Sequence, residues 1–380
     1  MITNKRGILP AIIAVLFAAQ AFAQVKSDGH YRKEMKALQA IIQTNFYDKA
    51  SGEYFVVVDS AEREKKNGYT RQYTYLWSYC AMYQAANEIE KLEPKTDLRG
   101  PMLKLMYEYY NPAPPHGGFT DYIMKLKPGE RYYDDNEWIG ITALDAYTRT
   151  KKKADFDLGK DMYDFIMTGY NQVLGGGIYW KEGDLSSKNT CSNGPGALLA
   201  LQMYQATKNK AYLDTAIKIV KWTDAKLQTP DKLYWDNIRT RDGRVNKGIL
   251  SYNTGTPLEA YVYLYEITKD KKYLDEANAI ADASLKFFYG GEKFRDDYWF
   301  NAVLLRGYQH LLKFNKDTKY IMGFKKCLDG TIAADKNEKG LFTGRGGGGS
   351  VKVKNLVDHG GLLEILARYA WLETKYDLKG

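Results

Sequence analysis

The run Tyr132-Tyr133-Asp134-Asp135-Asn136-Glu137-Trp138 sets two adjacent carboxylates among aromatic rings, just before a strongly periodic helical stretch. Cleavage of a glycosidic bond needs this set: one carboxyl as acid, a second as nucleophile or base, and flat apolar faces for a sugar ring. An Asp-Asp pair by itself also serves as a helix cap favoured by the helix dipole. The α-carbons of Asp134 and Asp135 are ~3.8 Å apart, and adjacent side chains diverge within a regular helix. The two can flank one bond only from the non-helical start of the helix. Retaining enzymes hold their carboxyls ~5–5.5 Å apart and inverting ones ~6.5–9.5 Å apart, and adjacent residues more easily supply the shorter spacing. One carboxyl must stay ionised, which a helix N-terminus favours. The other must hold a proton near neutral pH, which a neighbouring like charge and burial both favour. The residues alone leave open which is which.

Such a pair needs elements to position it, and helical periodicity dominates the chain. Apolar spacing of the kind seen in Leu198, Leu199, Leu201, Met203 and Tyr204 predicts twelve helices, near 30–48, 71–92, 97–111, 134–150, 155–171, 190–207, 210–228, 252–268, 271–288, 296–314, 317–330 and 356–374. A weak internal repeat organises them. Thr207-Lys-Asn-Lys-Ala-Tyr-Leu-Asp214 matches Thr268-Lys-Asp-Lys-Lys-Tyr-Leu-Asp275, with looser copies at 150–157 and 315–321. Each copy is a short polar turn between two helices, so the unit is a helical hairpin longer than a TPR unit. Six hairpins suit a closed all-α (α/α)6 barrel, a toroid; an open solenoid is the alternative. Longer links rich in Gly, Tyr, Trp and Asp precede every second helix, and long loops gathered on one side of a repeat array make its working face.

In a toroid the starts of those second helices converge. They carry Arg71, Gln72, Tyr73, Tyr75 and Trp77; Asp134, Asp135, Asn136 and Trp138; Asn189, Thr190, Ser192 and Asn193; Tyr252, Asn253 and Thr254; Arg295, Asp296, Asp297, Tyr298, Trp299 and Asn301; and Asn355, Asp358 and His359. Rings that stack on sugar faces, together with amides and carboxylates that bond hydroxyls, describe a carbohydrate cleft. Trp77, Tyr133, Asn136, Asn193, Tyr252, Asn253, Asp297 and Trp299 are the expected sugar contacts. Asp296-Asp297 also fits a helix cap paired with Arg295. Glu137 either orients a neighbour or fills the core, and Asp121 fits the cleft rim.

Composition narrows the class. The net charge is +9, but Lys and Arg are interspersed with acids, which reads as a solvated surface rather than a nucleic-acid groove. Lys5 and Arg6, an apolar run from Ile8 to Phe17 and Ala21-Phe22-Ala23 read as a signal peptide over residues 1–23, cleaved near Ala23. Residues 24–380 then form one exported domain without a membrane anchor; the apolar run is short for a span. Cys80, Cys191 and Cys327 lack a C-x-x-C and read as small core thiols. Four scattered His give no metal signature, so neither metal nor cofactor is expected. Nothing in the pattern specifies an oligomeric state.

The chain resembles glycoside hydrolase family 76, the endo-α-1,6-mannanases. The resemblance rests on Tyr133-Asp134-Asp135-Asn136-Glu137-Trp138. It is supported by Gly176-Gly177-Ile178-Tyr179-Trp180 with Lys188-Asn189-Thr190 and Ser192-Asn193, by Tyr252-Asn253-Thr254-Gly255, and by Trp299-Phe300-Asn301 before Arg306-Gly307. It implies an (α/α)6 fold, a retaining mechanism, an α-1,6-linked mannan backbone as substrate, Asp134 as nucleophile and Asp135 as general acid/base. Two features depart from the family: Thr254 replaces a common Gln, and Arg345-Gly-Gly-Gly-Gly-Ser350 reads as a flexible surface loop. The competing readings are a non-catalytic glycan-binding helical repeat, an unsaturated glucuronyl hydrolase or polysaccharide lyase, and a mannan transglycosylase. The hydrolase and lyase alternatives would need cationic groups such as Arg71 and Arg295.

Overall fold

The computed structural model describes residues 29–63, 72–127, 129–344 and 353–378. The expected signal peptide, Arg71 and the loop at 345–350 lie outside the described residues. Thirteen helices are present among them: α1 (His30–Asn45), the single turn α2 (Ser60–Arg63), α3 (Leu76–Leu92), α4 (Arg99–Met106), α5 (Tyr133–Thr150), α6 (Lys153–Met167), α7 (Thr190–Thr207), α8 (Lys210–Leu227), α9 (Ser251–Thr268), α10 (Lys271–Phe288), α11 (Tyr298–Asn315), α12 (Lys319–Asp335) and α13 (Leu356–Leu372). All twelve expected helices are there, and α2 is additional.

Helices α3, α5, α7, α9, α11 and α13 form an inner ring in which each packs on the next and α13 closes against α3. The others pack outside it, with α4 on α3, α6 on α5, α8 on α7, α10 on α9 and α12 on α10 and α11. The sixth pair joins the ends of the chain, because α1 packs on α13. This is an (α/α)6 barrel. Inner helices are covered on every side, which is why α7 is buried from Thr190 to Met203 without a polar face. Their close approach depends on small residues. A β-carbon on Gly255 would meet the Leu304 backbone at 2.7 Å, so the glycine of Tyr252-Asn253-Thr254-Gly255 serves helix packing.

The internal repeat has a local cause. Helices α5, α7, α9 and α11 each end on a lysine in the left-handed region, Lys151, Lys208, Lys269 and Lys316, with φ of 58–60°. Before three of them stands a threonine (Thr150, Thr207, Thr268) whose Oγ1 accepts the backbone N–H two residues on, at 3.2 Å. Asn209 and Asp270 then cap α8 and α10. The shared tetrad is therefore a helix stop followed at once by a helix start.

Five short strands went unread in the sequence: β1 (Tyr110–Asn111), β2 (Gly118–Phe119), β3 (Ser187–Asn189), β4 (Trp235–Arg239) and β5 (Val245–Ile249). β1 pairs with β2, and β3-β4-β5 form an antiparallel sheet before α7 and α9. Ile238 on that sheet packs with Trp222, Leu227 and Val245, which fastens the sheet to α8.

Candidate active site

The inner helices begin at one end of the barrel, and their N-termini surround a cleft of ≈ 520 Å³. Asp134 and Asp135 stand on its floor in the first turn of α5, whose preceding residue Tyr132 is extended (φ −96°, ψ 137°). This is the non-helical start that lets adjacent side chains address one space. The Trp180 indole N–H donates to Asp134 Oδ2 at 3.1 Å, the Asp135 amide donates to Asp134 Oδ1 at 3.2 Å, and the Cys191 thiol also donates to Asp134. Burial nevertheless raises the Asp134 carboxyl to about 6, with these donors pulling against it. No side-chain donor reaches the Asp135 carboxyl among the described residues. Burial, then the charges of Asp134 and Asp121, push it well above the usual carboxylate range. The two acids are thus separated by environment: one is held by donors, and the other is biased toward keeping its proton.

Of the other residues expected to touch sugar, Trp77, Tyr252 and Trp299 line the cleft. Trp77 and Trp138 each meet Trp299 edge-on at 5.9 Å between ring centroids, and Trp299 Nε1 donates to Gln84 at 2.9 Å. This floor is fixed. Tyr252 lies on Phe300 at 4.1 Å and is hydrogen-bonded to Cys191.

The structure does not bring the remaining expected contacts to the cleft surface. Tyr133 turns outward onto Phe165, with its hydroxyl at Thr168. Asn136 is fully buried: its Oδ1 accepts from Phe119 N at 2.7 Å, and its Nδ2 donates to Phe119 O and Tyr132 O. Asn193 repeats the pattern on Ile178 and Asn189, and Asn301 donates likewise to Asp297 O. These asparagines staple each helix start to the segment before it. Asn253 is buried and donates to Asp236 Oδ1 at 3.4 Å. Asp297 is buried at the cap of α11. Asp296 caps α9, the preceding helix of the inner ring, since its Oδ2 accepts from Ser251 N at 2.7 Å. Arg295 is exposed and donates to Phe287 O. At the start of α13, Asn355 caps the helix and buried His359 faces Phe342 N, so that end is structural. Asp121 does line the cleft, and Glu137 is fully buried against Gly196 without a hydrogen-bond partner among the described residues.

Sequence reasoning missed Asp236 and Asn237, which enter from β4, and the contact of Trp180 and Cys191 with Asp134. The Gly-Gly-Ile-Tyr-Trp motif was the available signal for Trp180. The loop that carries it is held by Lys188, a fully buried cation with no carboxylate partner among the described residues. Its Nζ donates to Asn171 O and Oδ1, Val173 O and Gly176 O at 2.5–3.2 Å, and burial lowers its pKa to about 8. All three cysteines are free and buried. No group of side chains able to hold a metal occurs among the described residues, nor is any described helix long and apolar enough to cross a membrane.

The helical toroid thus carries two differently tuned carboxyls among tryptophans on one cleft floor. Residues 31–331 match the model of glycosyl hydrolase family 76, and the chain belongs to that family. It is 30% identical over 176 residues to mannan endo-1,6-alpha-mannosidase DFG5 of Candida albicans, covering 42% of this chain and 39% of that one. It is 28% identical over 192 residues to mannan endo-1,6-alpha-mannosidase DCW1 of Saccharomyces cerevisiae, covering 46% and 42%. These matches span about two fifths of each relative's length. Among solved structures, a family 76 mannosidase from Bacteroides thetaiotaomicron superposes with a TM-score of 0.79 at 26% identity, over 91% of this chain and 100% of that one. An inactive variant of the alpha-1,6-mannanase of Salegentibacter sp. HEL1_6, with two consecutive aspartates changed to asparagine and alpha-1,6-mannotriose bound, shares the fold. Its TM-score is 0.71 at 22% identity, covering 90% of this chain and 99% of that one.

Proposed function

We propose that this chain is an exported, endo-acting glycoside hydrolase that cleaves the α-1,6-linked mannan backbone with retention of configuration. Asp134 is the nucleophile and Asp135 the general acid/base. The observation that carries the reading is the asymmetry of the pair: three donors converge on Asp134, and none of the described side chains donates to Asp135. Donors stabilise the charged form of Asp134 at neutral pH. Its own charge then raises the pKa of Asp135 and keeps a proton there for the leaving oxygen. In the first step Asp135 gives that proton to the glycosidic oxygen as the Asp134 oxygen bonds to the anomeric carbon. In the second, Asp135 takes a proton from water, which displaces Asp134. The names of the mannosidase relatives support the substrate assignment. An acidic cleft with a tryptophan floor favours hydrolysis over simple glycan binding.

The test is product analysis on linear α-1,6-mannan with wild type, Asp134→Ala and Asp135→Ala, with the anomeric configuration of the first product read by NMR. The expected result is short oligosaccharides of retained configuration from wild type and none from either variant. Inverted product, or cleavage surviving both substitutions, overturns the assignment.

A further inference from the structure

The sheet β3-β4-β5 continues the cleft wall outward in two rows. Asn189 faces Asn237 on β4, and Asn237 faces Asn246 on β5. Asn189 and Asn237 line the cleft, and Asn246 Nδ2 donates to Asp236, also a cleft residue, at 3.0 Å. This amide row therefore opens on the cleft. Ile238, the intervening residue, packs on the opposite face against Trp222. Side chains alternate along a strand, so Arg239 returns to the cleft face. It is paired with Ser187 on one side, and its amide donates to Arg244 O on the other at 2.9 Å. Arg244 is two residues from Asn246 on the same face. A row of arginines thus stands ~6.8 Å beyond the row of amides, about one sugar unit farther along the wall.

Both arginines are accessible. Among the described residues Arg239 is held by Asp242 in a bidentate fork, with side chains 39% and 38% exposed. Solvent and salt screen a pair this exposed, so its guanidinium can be exchanged to a ligand anion that offers the same fork. Arg244 is exposed and has no ion partner among the described residues. Arg241 on the same turn adds positive charge against the single Asp242. Guanidinium forks match the geometry of phosphate and carboxylate groups.

We propose that Asn189, Asn237 and Asn246 form an outer sugar subsite, and that Arg239 and Arg244 take an anionic substituent, a phosphate ester or a carboxylate, on the glycan held there. The inference rests on the hydrolase reading above. The test uses the full chain and three α-1,6-linked mannooligosaccharides: neutral, phosphorylated on one sugar, and carboxylated on one sugar. Wild type is compared with Arg244→Gln and with Arg239→Gln/Arg244→Gln. The expected result is a KM for one or both anionic substrates about tenfold below that of the neutral one, fading with added salt. In the double variant that advantage is lost while kinetics on the neutral substrate are unchanged. The two anionic arms show which group the arginines prefer. Equal KM for all three substrates, or an anion preference that survives the double variant, overturns the proposal. If wild type cleaves none of them, the hydrolase reading fails. Calorimetric binding of the same three then decides the subsite separately: arginine-dependent preference for an anion upholds it, and equal binding overturns it.

Discussion

Replacing Trp180 with Phe removes the pyrrole part of the indole, its N–H included, and keeps a six-membered aromatic ring. The ring stays against Tyr132, 4.9 Å away, but the indole N–H that meets Asp134 Oδ2 at 3.1 Å is gone. A hydrogen bond to a charged group contributes about 1.5–3 kcal/mol. Trp180 is 37% exposed, so the lower end applies. About 1.4 kcal/mol is one pKa unit or tenfold in rate. Asp134 therefore becomes harder to ionise, and the acid limb of the kcat/KM profile, expected near the value of about 6 set by burial, moves up by about one unit. At a pH below that limb the variant is down about tenfold, and raising the pH recovers most of the difference. The assay is a pH series on a soluble α-1,6-linked oligosaccharide. A higher KM with an unmoved acid limb would refute the reasoning and leave Trp180 as a sugar platform only.

Three further outcomes are expected. Asp134 titrates above its unfolded value, so its ionisation costs stability that is intact below pH ~4 and is lost as the pH rises through about 6. Asp134→Asn should raise the melting temperature at pH 7, by a stability gain of ~1–3 kcal/mol, and do nothing near pH 4, as read by calorimetry. Asn136→Ala strands the Phe119 amide and loses three hydrogen bonds, two of them buried; denaturant titration should show a loss of ~2–4 kcal/mol, while the protein that remains folded still binds oligosaccharide. Lys188→Met uncages the 171–176 carbonyls; hydrogen exchange should rise across 171–180 and kcat should fall, and an unchanged exchange pattern would show that the lysine holds nothing.

The barrel was legible because its cause is repetitive. Apolar spacing gave every long helix, and the Thr-Lys turns marked the inner-to-outer connections. The acidic pair was legible because its place at a helix start is written in consecutive residues. What escaped depends on distant pairing. The register that sets Asn189 beside Asn237 and Asn246 spans nearly 60 positions. Asp236 therefore reaches the cleft without any local signal. Residue type also misled in one consistent way. Asn136 and Asn193 are amides at helix starts, as sugar ligands would be, but their side-chain amides are taken up by the backbone they staple. Cys191 was read as core thiol and is indeed buried, but the thiol points at Asp134.

The closing of the ring by α13 has a kinetic side. Residues 356–372 wedge between α11 and α3, and α1 lies on their outer face. The contacts that finish the toroid therefore join positions about 280 residues apart. Such pairings are slow, because the intervening chain must be ordered first. Until they form, α3 and α11 present open apolar flanks. A ribosome releases α13 after every other helix of the ring, so until then the ring is an unclosed arc that is exposed to aggregation. A variant truncated before Leu356 should be recovered as aggregate, because no other helix among the described residues covers those two faces.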